Sequence, residues 1–207
     1  MTVKPHVRAY HHGDLKVALV DAVEQVVRKR GVGHVSLRAV ARQVGVTHAA
    51  SAHHFDNKAG LLTAFATQGY VQLAEAVLAA IHEAQPPDGP SVLEAVGRGY
   101  VAFALANPGR FEVMFRLDLL NKDDPDFVAA SDAAYSLLVS TVARCHSEGF
   151  LGKNDPEVVA VSAWSMVHGL AALWISGRLG ERIREKDPHR LADRVSRLYV
   201  DSVLRNH

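Results

Sequence analysis

An all-α fold is predicted by three features of this 207-residue chain. Apolar residues recur at i, i+3 and i+4 through nearly every segment. Breaks rich in Gly and Pro separate those segments at helix-length intervals. No stretch alternates apolar and polar residues as a half-buried strand does. About nine helices result: a three-helix head joined by a long helix to a helical body.

The first helix carries Leu15, Ala18, Leu19, Ala22, Val23, Val26 and Val27 on one face. Asp14 favours the dipole at its start, Arg28-Lys29-Arg30 favour its end, and Gly31 and Gly33 break it. Ser36 caps a short second helix that runs to Gln43, and Gly45 supplies a turn open to positive φ. Thr47 caps a third helix ending near Phe55, and Asn57 caps a fourth. The fourth helix shows the stripe Leu62, Phe65, Ala66, Gly69, Leu73, Val77, Ile81, and Pro86-Pro87-Asp88-Gly89-Pro90 ends it. Further helices are expected at 91–106, 108–117, 125–148, 155–179 and 188–205.

Composition narrows the function classes. One cysteine, Cys145, excludes an intramolecular disulfide and suits a reducing, cytoplasmic setting. Met1 to Gly13 lacks the apolar core of a signal peptide. Val158 to Gly177 holds no charged residue over a length that spans a bilayer. Ser162, Ser165, His168, Gly169 and Ser176 load it with polar and small groups, so it reads as a buried or dimer-interface helix and no membrane partner is expected. Charge is divided: residues 1–60 hold nine Lys/Arg against four acids, the remainder 14 against 18. A head of +5 on a body of −4 points to a polyanion met by the head alone. Seven of the twelve histidines lie in the same 60 residues.

The segment Ser36 to Phe55 carries the chemistry. Two short helices meet at a tight turn, and Val40, Ala41, Val44 and Val46 let them cross closely, as in a helix-turn-helix whose second helix enters the major groove. Thr47, His48 and Ser51 are short polar groups at the leading end of that helix, suited to base edges. Ser36, Arg38, His53, His54 and Lys58 surround it as phosphate donors. A metal site is not expected: His48 and His53 lie about 140° apart on a helix, and His53 and His54 are adjacent and do not converge.

Residues 13–62 resemble the N-terminal domain of the TetR family of transcription regulators. The resemblance rests on the apolar first helix, Val35-Ser36-Leu37-Arg38, Val40-Ala41, Gly45-Val46-Thr47, His54-Phe55, Asn57-Lys58 and Leu61-Leu62. It implies that Thr47 to His54 is the recognition helix, that Lys58 contacts phosphate, and that the fourth helix links ligand state to the head. The chain departs from the family pattern at Ala52, where an aromatic, most often Tyr, is usual; His53 is the candidate replacement for its phosphate contact. In the body, Ala163-Trp164 to His168-Gly169-Leu170-Ala171 and Asn107-Pro108-Gly109-Arg110-Phe111 to Met114-Phe115 resemble one C-terminal subgroup of the family.

The expected division is a DNA-binding domain over 1–58 and a ligand-binding and dimerisation domain over 59–207. Within the latter, Phe103, Phe111, Phe115, Tyr135, Trp164 and His168 are the candidates for an apolar small-molecule site. Leu191, Val195, Leu198, Tyr199, Ser202 and Val203 form one stripe for a homodimer interface. Ala160, Ala163, Val167, Leu170, Ala171 and Trp174 form the other. Two-fold symmetry then predicts a palindromic DNA operator. Neither cofactor nor catalytic residues are expected, since phosphate loops, HExxH and Gly-x-Ser-x-Gly elbows are all missing, and Cys145 and His146 point about 100° apart. The alternative is a ligand-binding or protein-interaction module with a degenerate DNA-binding head. Salt-dependent, sequence-specific DNA binding separates the two.

Overall fold

The computed structural model describes residues 12–204, with no β-strand among them. Met1 to His11, with His6 and His11, lies outside the described residues, as do the side chains of His12 and Asp14. The helices are α1 (His12–Arg30), α2 (Leu37–Val44), α3 (His48–Ala52), α4 (Lys58–His82), α5 (Gly89–Ala106), α6 (Pro108–Met114), α7 (Pro125–Ser147), α8 (Pro156–Ile175) and α9 (Pro188–Leu204). Short 3₁₀ turns at Val32–His34 and Leu117–Leu119 complete the described elements.

Helix starts follow one chemical rule. Asp88, Asp124, Asp155 and Asp187 each accept a hydrogen bond from a backbone N–H in the first turn of α5, α7, α8 and α9. Pro125, Pro156 and Pro188 open three of those helices, where a missing N–H costs nothing. The ends fall earlier than the sequence predicts in three places. α3 stops at Ala52, α6 at Met114 and α8 at Ile175. Beyond α8, Gly177 takes φ 72° and the Arg178 N–H returns to the Leu173 carbonyl at 3.0 Å, which closes the helix in a left-handed cap.

Packing divides the chain into two compact units. The first comprises 1–69 and 109–128. Its core is built from Leu19 and Val23 of α1, Val40 of α2, Leu61, Leu62 and Phe65 of α4, and Val113 and Met114 of α6, all essentially without solvent exposure. At roughly 1.5–3 kcal/mol per fully buried side chain, this cluster dominates the stability of the head. The segment 109–128 therefore folds with the first 69 residues, although 39 residues of the other unit separate them in sequence.

The second unit comprises 70–108 and 129–207. Here α5 packs on both α8 and α9. Ala192, Ser196, Val200 and Leu204 of α9 face inward; of the predicted stripe, Leu191, Val195, Tyr199 and Val203 are half-buried, Ser202 is exposed and Leu198 is 67% exposed. For α8 the prediction needs correction. Ala160, Ala163, Val167 and Ala171 are buried within the unit, with Val167 against Gly97 of α5. Their small side chains serve close approach inside the chain. The outward apolar face of α8 is instead Val158, Val161 and Leu173, together with exposed Ser162 and Ser165. α8 is long and apolar enough to cross a bilayer, with mean hydropathy 1.7 and 28% of that window buried.

Candidate nucleic-acid interface

The head's chemistry begins with two side-chain caps. Ser36 Oγ accepts from the Ala39 N–H at 3.1 Å, and Thr47 Oγ1 from the Ala50 N–H at 3.2 Å. Between them Gly45 adopts φ 82°, and the Gly45 and Val46 N–H groups both return to the Ala41 carbonyl at 2.9 Å. That geometry ends α2 and leads directly into the cap of α3. α2 turns Val40 and Ala41 inward and leaves Arg38, Arg42 and Gln43 exposed. Gln43 ties it to α1 through a 2.7 Å hydrogen bond to Gln25.

α3 is five residues long, and its outer side carries His48, Ala49 and Ala52, all exposed, with Thr47, also exposed, at its cap. His53 follows, exposed, its ring 5.7 Å from the half-buried His54 ring. Residues 36–55 contain no acid, so this stretch itself offers nothing that repels a phosphate backbone. Arg28, Lys29 and Arg30 are exposed in the last turn of α1. Lys58 Nζ donates to the Val32 carbonyl at 3.2 Å. One of its three ammonium protons thus anchors α4 to the turn between α1 and α2.

Ser51 is the exception among the predicted contacts. It is 0% exposed, and its hydroxyl lies 2.8 Å from the His48 carbonyl and 3.5 Å from that of Leu37. The short helix must turn one side into the head, and Ser51 is on that side. It packs α3 on α2 and presents nothing to a DNA groove. Ser51→Ala is therefore expected to leave base preference unchanged and to cost about 1 kcal/mol of stability. A thermal melt together with selection of bound duplexes checks both; a changed base preference would overturn the assignment.

The six predicted ligand residues fall in different units. Phe111 and Phe115 belong to the first, with ring centroids 5.3 Å apart. In the second, Phe103 is buried core, whereas Tyr135, Trp164 and His168 form one cluster. The Trp164 ring lies 5.6 Å from Tyr135 and 6.5 Å from His168. Its centre is a residue that sequence reasoning missed. The Tyr100 hydroxyl accepts from Trp164 Nε1 at 3.4 Å and meets His168 Nδ1 at 2.9 Å. Burial pushes the Tyr100 phenol up and the His168 imidazole down. Both favour the neutral form, so the 2.9 Å contact joins a neutral phenol to a neutral imidazole. Trp164 and Tyr135 stay 38% and 39% exposed, an aromatic surface open to a partner.

His168 has a measurable consequence. Its imidazole is harder to protonate folded than unfolded, so as pH falls through about 6.5 the unfolded chain binds more protons and stability falls with it. His168→Gln is expected to flatten the decline in melting temperature between pH 7.5 and 5.5, with little difference from wild type at about pH 7.5, where imidazole is neutral in both states. Identical slopes in both proteins would contradict the assignment of a half-buried, neutral imidazole. Cys145 is also fully buried, its thiol pushed up to about 11 by burial, and it remains protonated at neutral pH.

A helix-turn-helix with an acid-free recognition helix, in a chain that is otherwise helical, defines a DNA-binding transcription regulator. Residues 19–70 match the family described as bacterial regulatory proteins, tetR family, and residues 93–199 the tetracyclin repressor-like C-terminal domain. The chain belongs to the TetR family. It is 23% identical over 155 residues to the uncharacterized HTH-type transcriptional regulator YobS of Bacillus subtilis strain 168, covering 75% of this chain and 76% of that protein. A structure of a protein with unknown function from Rhodococcus sp. RHA1 is similar with TM-score 0.80 and 29% identity, covering 95% of this chain and 99% of that one. The TetR family transcriptional regulator PfmR from Thermus thermophilus shares the fold with TM-score 0.68 and 20% identity, covering 90% of this chain and 97% of that one.

Proposed function

We propose that the protein is a ligand-responsive repressor that binds a palindromic operator as a cytoplasmic homodimer. The observation that carries this reading is the outer side of α3, where His48 stands exposed among alanines beside Thr47, with no acid in the segment. In this reading Thr47 and His48 meet base edges in the major groove. Arg38, His53, His54, Lys58 and the Ser36 hydroxyl hold phosphates around it. Ala52 removes an aromatic contact, and the exposed His53 beside it supplies a donor in its place.

The outward apolar face of α8 and the exposed Leu198 of α9 support dimerisation, since a second copy covers them in a four-helix bundle. Ser162 and Ser165 on α8, with Ser176 at its C-cap, suit that neighbour better than lipid. The Tyr100, Tyr135, Trp164 and His168 cluster supports a small-molecule effector of aromatic or apolar character. The effector acts by population shift: it prefers a state whose recognition helices are wrongly spaced for successive major grooves, about 34–36 Å apart.

Selection of random duplex DNA by the purified protein at about 150 mM salt, where non-specific binding is weak, tests this. A palindrome with a fixed half-site spacing is the expected product. A folded dimer that enriches no sequence would overturn the regulator reading in favour of a body that binds ligands beneath an idle head.

A further inference from the structure

A cleft of about 420 Å³ opens in the first unit among α1, the turn after α3, α4 and the loop that leads into α7. That volume lies within the roughly 300–1,000 Å³ of small-molecule sites. Its floor is apolar: Val20 and Phe55 are each 6% exposed. Val17, one turn before Val20 on α1, stays 54% exposed, an apolar side chain that an occupant of the cleft would cover. The wall opposite is fixed by its own hydrogen bonds. The Asn121 N–H donates to Thr63 Oγ1 at 2.9 Å, which ties the loop to α4. Asp124 Oδ1 accepts from the Asp126 and Phe127 N–H groups, both at 3.1 Å, and Phe127 is buried below them.

The polar groups left over are one-sided. Thr63 and Thr67 spend their hydroxyl protons on the Ala59 and Thr63 carbonyls. Gln68 is committed to Asp21 and to the buried Arg110, which itself meets Asp21 at 3.1 Å. What remains is Asp124 Oδ2, the Asp126 carboxylate and the Thr67 lone pairs, all of them acceptors. Against these stand the exposed ammonium of Lys16 and the His54 imidazole. Two carboxylates against one ammonium leave the cleft one negative charge in excess, and an occupant with a single positive charge makes it neutral. Among the described residues, no three His, Cys, Asp or Glu side chains converge as metal ligands, whereas an apolar floor suits a carbon skeleton. The fitting cation is therefore organic.

We propose that this cleft is a small-molecule site in the head itself, and that it takes an organic cation: one ammonium group drawn to Asp124 and Asp126, on an apolar body laid against Val17, Val20 and Phe55. It shares no residue with the aromatic cluster of the second unit, and it does not depend on the head binding DNA.

Calorimetric titration of the full chain, without DNA, with phenethylamine, phenethyl alcohol and phenylacetate tests the proposal. The three probes share a ring and differ in charge. Wild type should bind the amine about 3-fold or more tighter than the alcohol, the effect of a partly exposed ion pair, and phenylacetate most weakly. The double variant Asp124→Asn/Asp126→Asn should lose that preference while its affinity for the alcohol stays unchanged. Asparagine keeps an oxygen for the α7 cap, and Asp126→Asn alone, at an exposed residue, retains the fold if the double variant does not and should reduce the preference in the same direction. Ala64→Leu, which fills part of the cleft, should weaken amine and alcohol together. An amine that wild type does not bind, or binds no tighter than the alcohol, overturns the proposal. So does a preference that survives both aspartate variants, or an amine affinity untouched by Ala64→Leu.

Discussion

Phe65→Ala is expected to lower stability by about 3–5 kcal/mol, the range for emptying a fully buried aromatic site. Phe65 is 0% exposed at the centre of the head, and its ring also faces the Arg110 guanidinium. The alanine leaves a cavity and strips a buried cation of one aromatic neighbour, a contact worth about 0.5–2 kcal/mol in its own right. For a chain of this size each kcal/mol moves the melting temperature by about 2–4 °C, so a fall of about 6–20 °C is expected. Phe65→Leu keeps most of the volume and loses only the ring, so its fall should be clearly smaller. A Phe65→Ala protein that melts within about 2 °C of wild type, less than 1 kcal/mol on the same scale, would remove α4 from the centre of the head's core.

Gly45→Val is expected to abolish operator recognition out of proportion to its effect on folding. Gly45 sits at φ 82°, ψ 27°, a region that costs a β-branched residue roughly 1–3 kcal/mol. The strain falls on the one turn that sets the crossing of α2 and α3. Operator affinity should fall at least about tenfold, equivalent to about 1.4 kcal/mol. Gly45→Asn should retain most of it, because asparagine visits the left-handed region readily. Calorimetric melting and binding titrations on the same two variants separate the turn from general instability. Equal binding by the valine and asparagine proteins would contradict the turn's role.

What was legible in the sequence were signals carried by neighbours in the chain. Ser36, Gly45 and Thr47 each act within three or four residues, and their caps and turn stand where predicted. Pro86 to Pro90 ended α4 for the same local reason. The burial of Ser51 was not legible, because a five-residue helix is too short for periodicity to show which side faces in. The orientation of α8 was hidden because apolar and small residues surround it on every side, so both faces fit a buried stripe. Tyr100 was overlooked because its partner His168 lies 68 residues away, and a lone tyrosine on an apolar helix resembles ordinary core. The Arg110–Asp21 contact spans 89 residues, and only the folded chain brings 109–128 onto the head.

The central claim is that α3 reads base edges while the groups around it hold phosphates. Titrating wild type, His48→Ala and Lys58→Ala on the selected operator and on an unrelated duplex, across a series of salt concentrations, tests it most directly. Lys58→Ala should weaken both duplexes about equally and reduce the salt slope by about 1, whereas His48→Ala should lower the preference for the operator at an unchanged slope. Variants that bind both duplexes as wild type does, or a wild type with no preference between them, would contradict the claim.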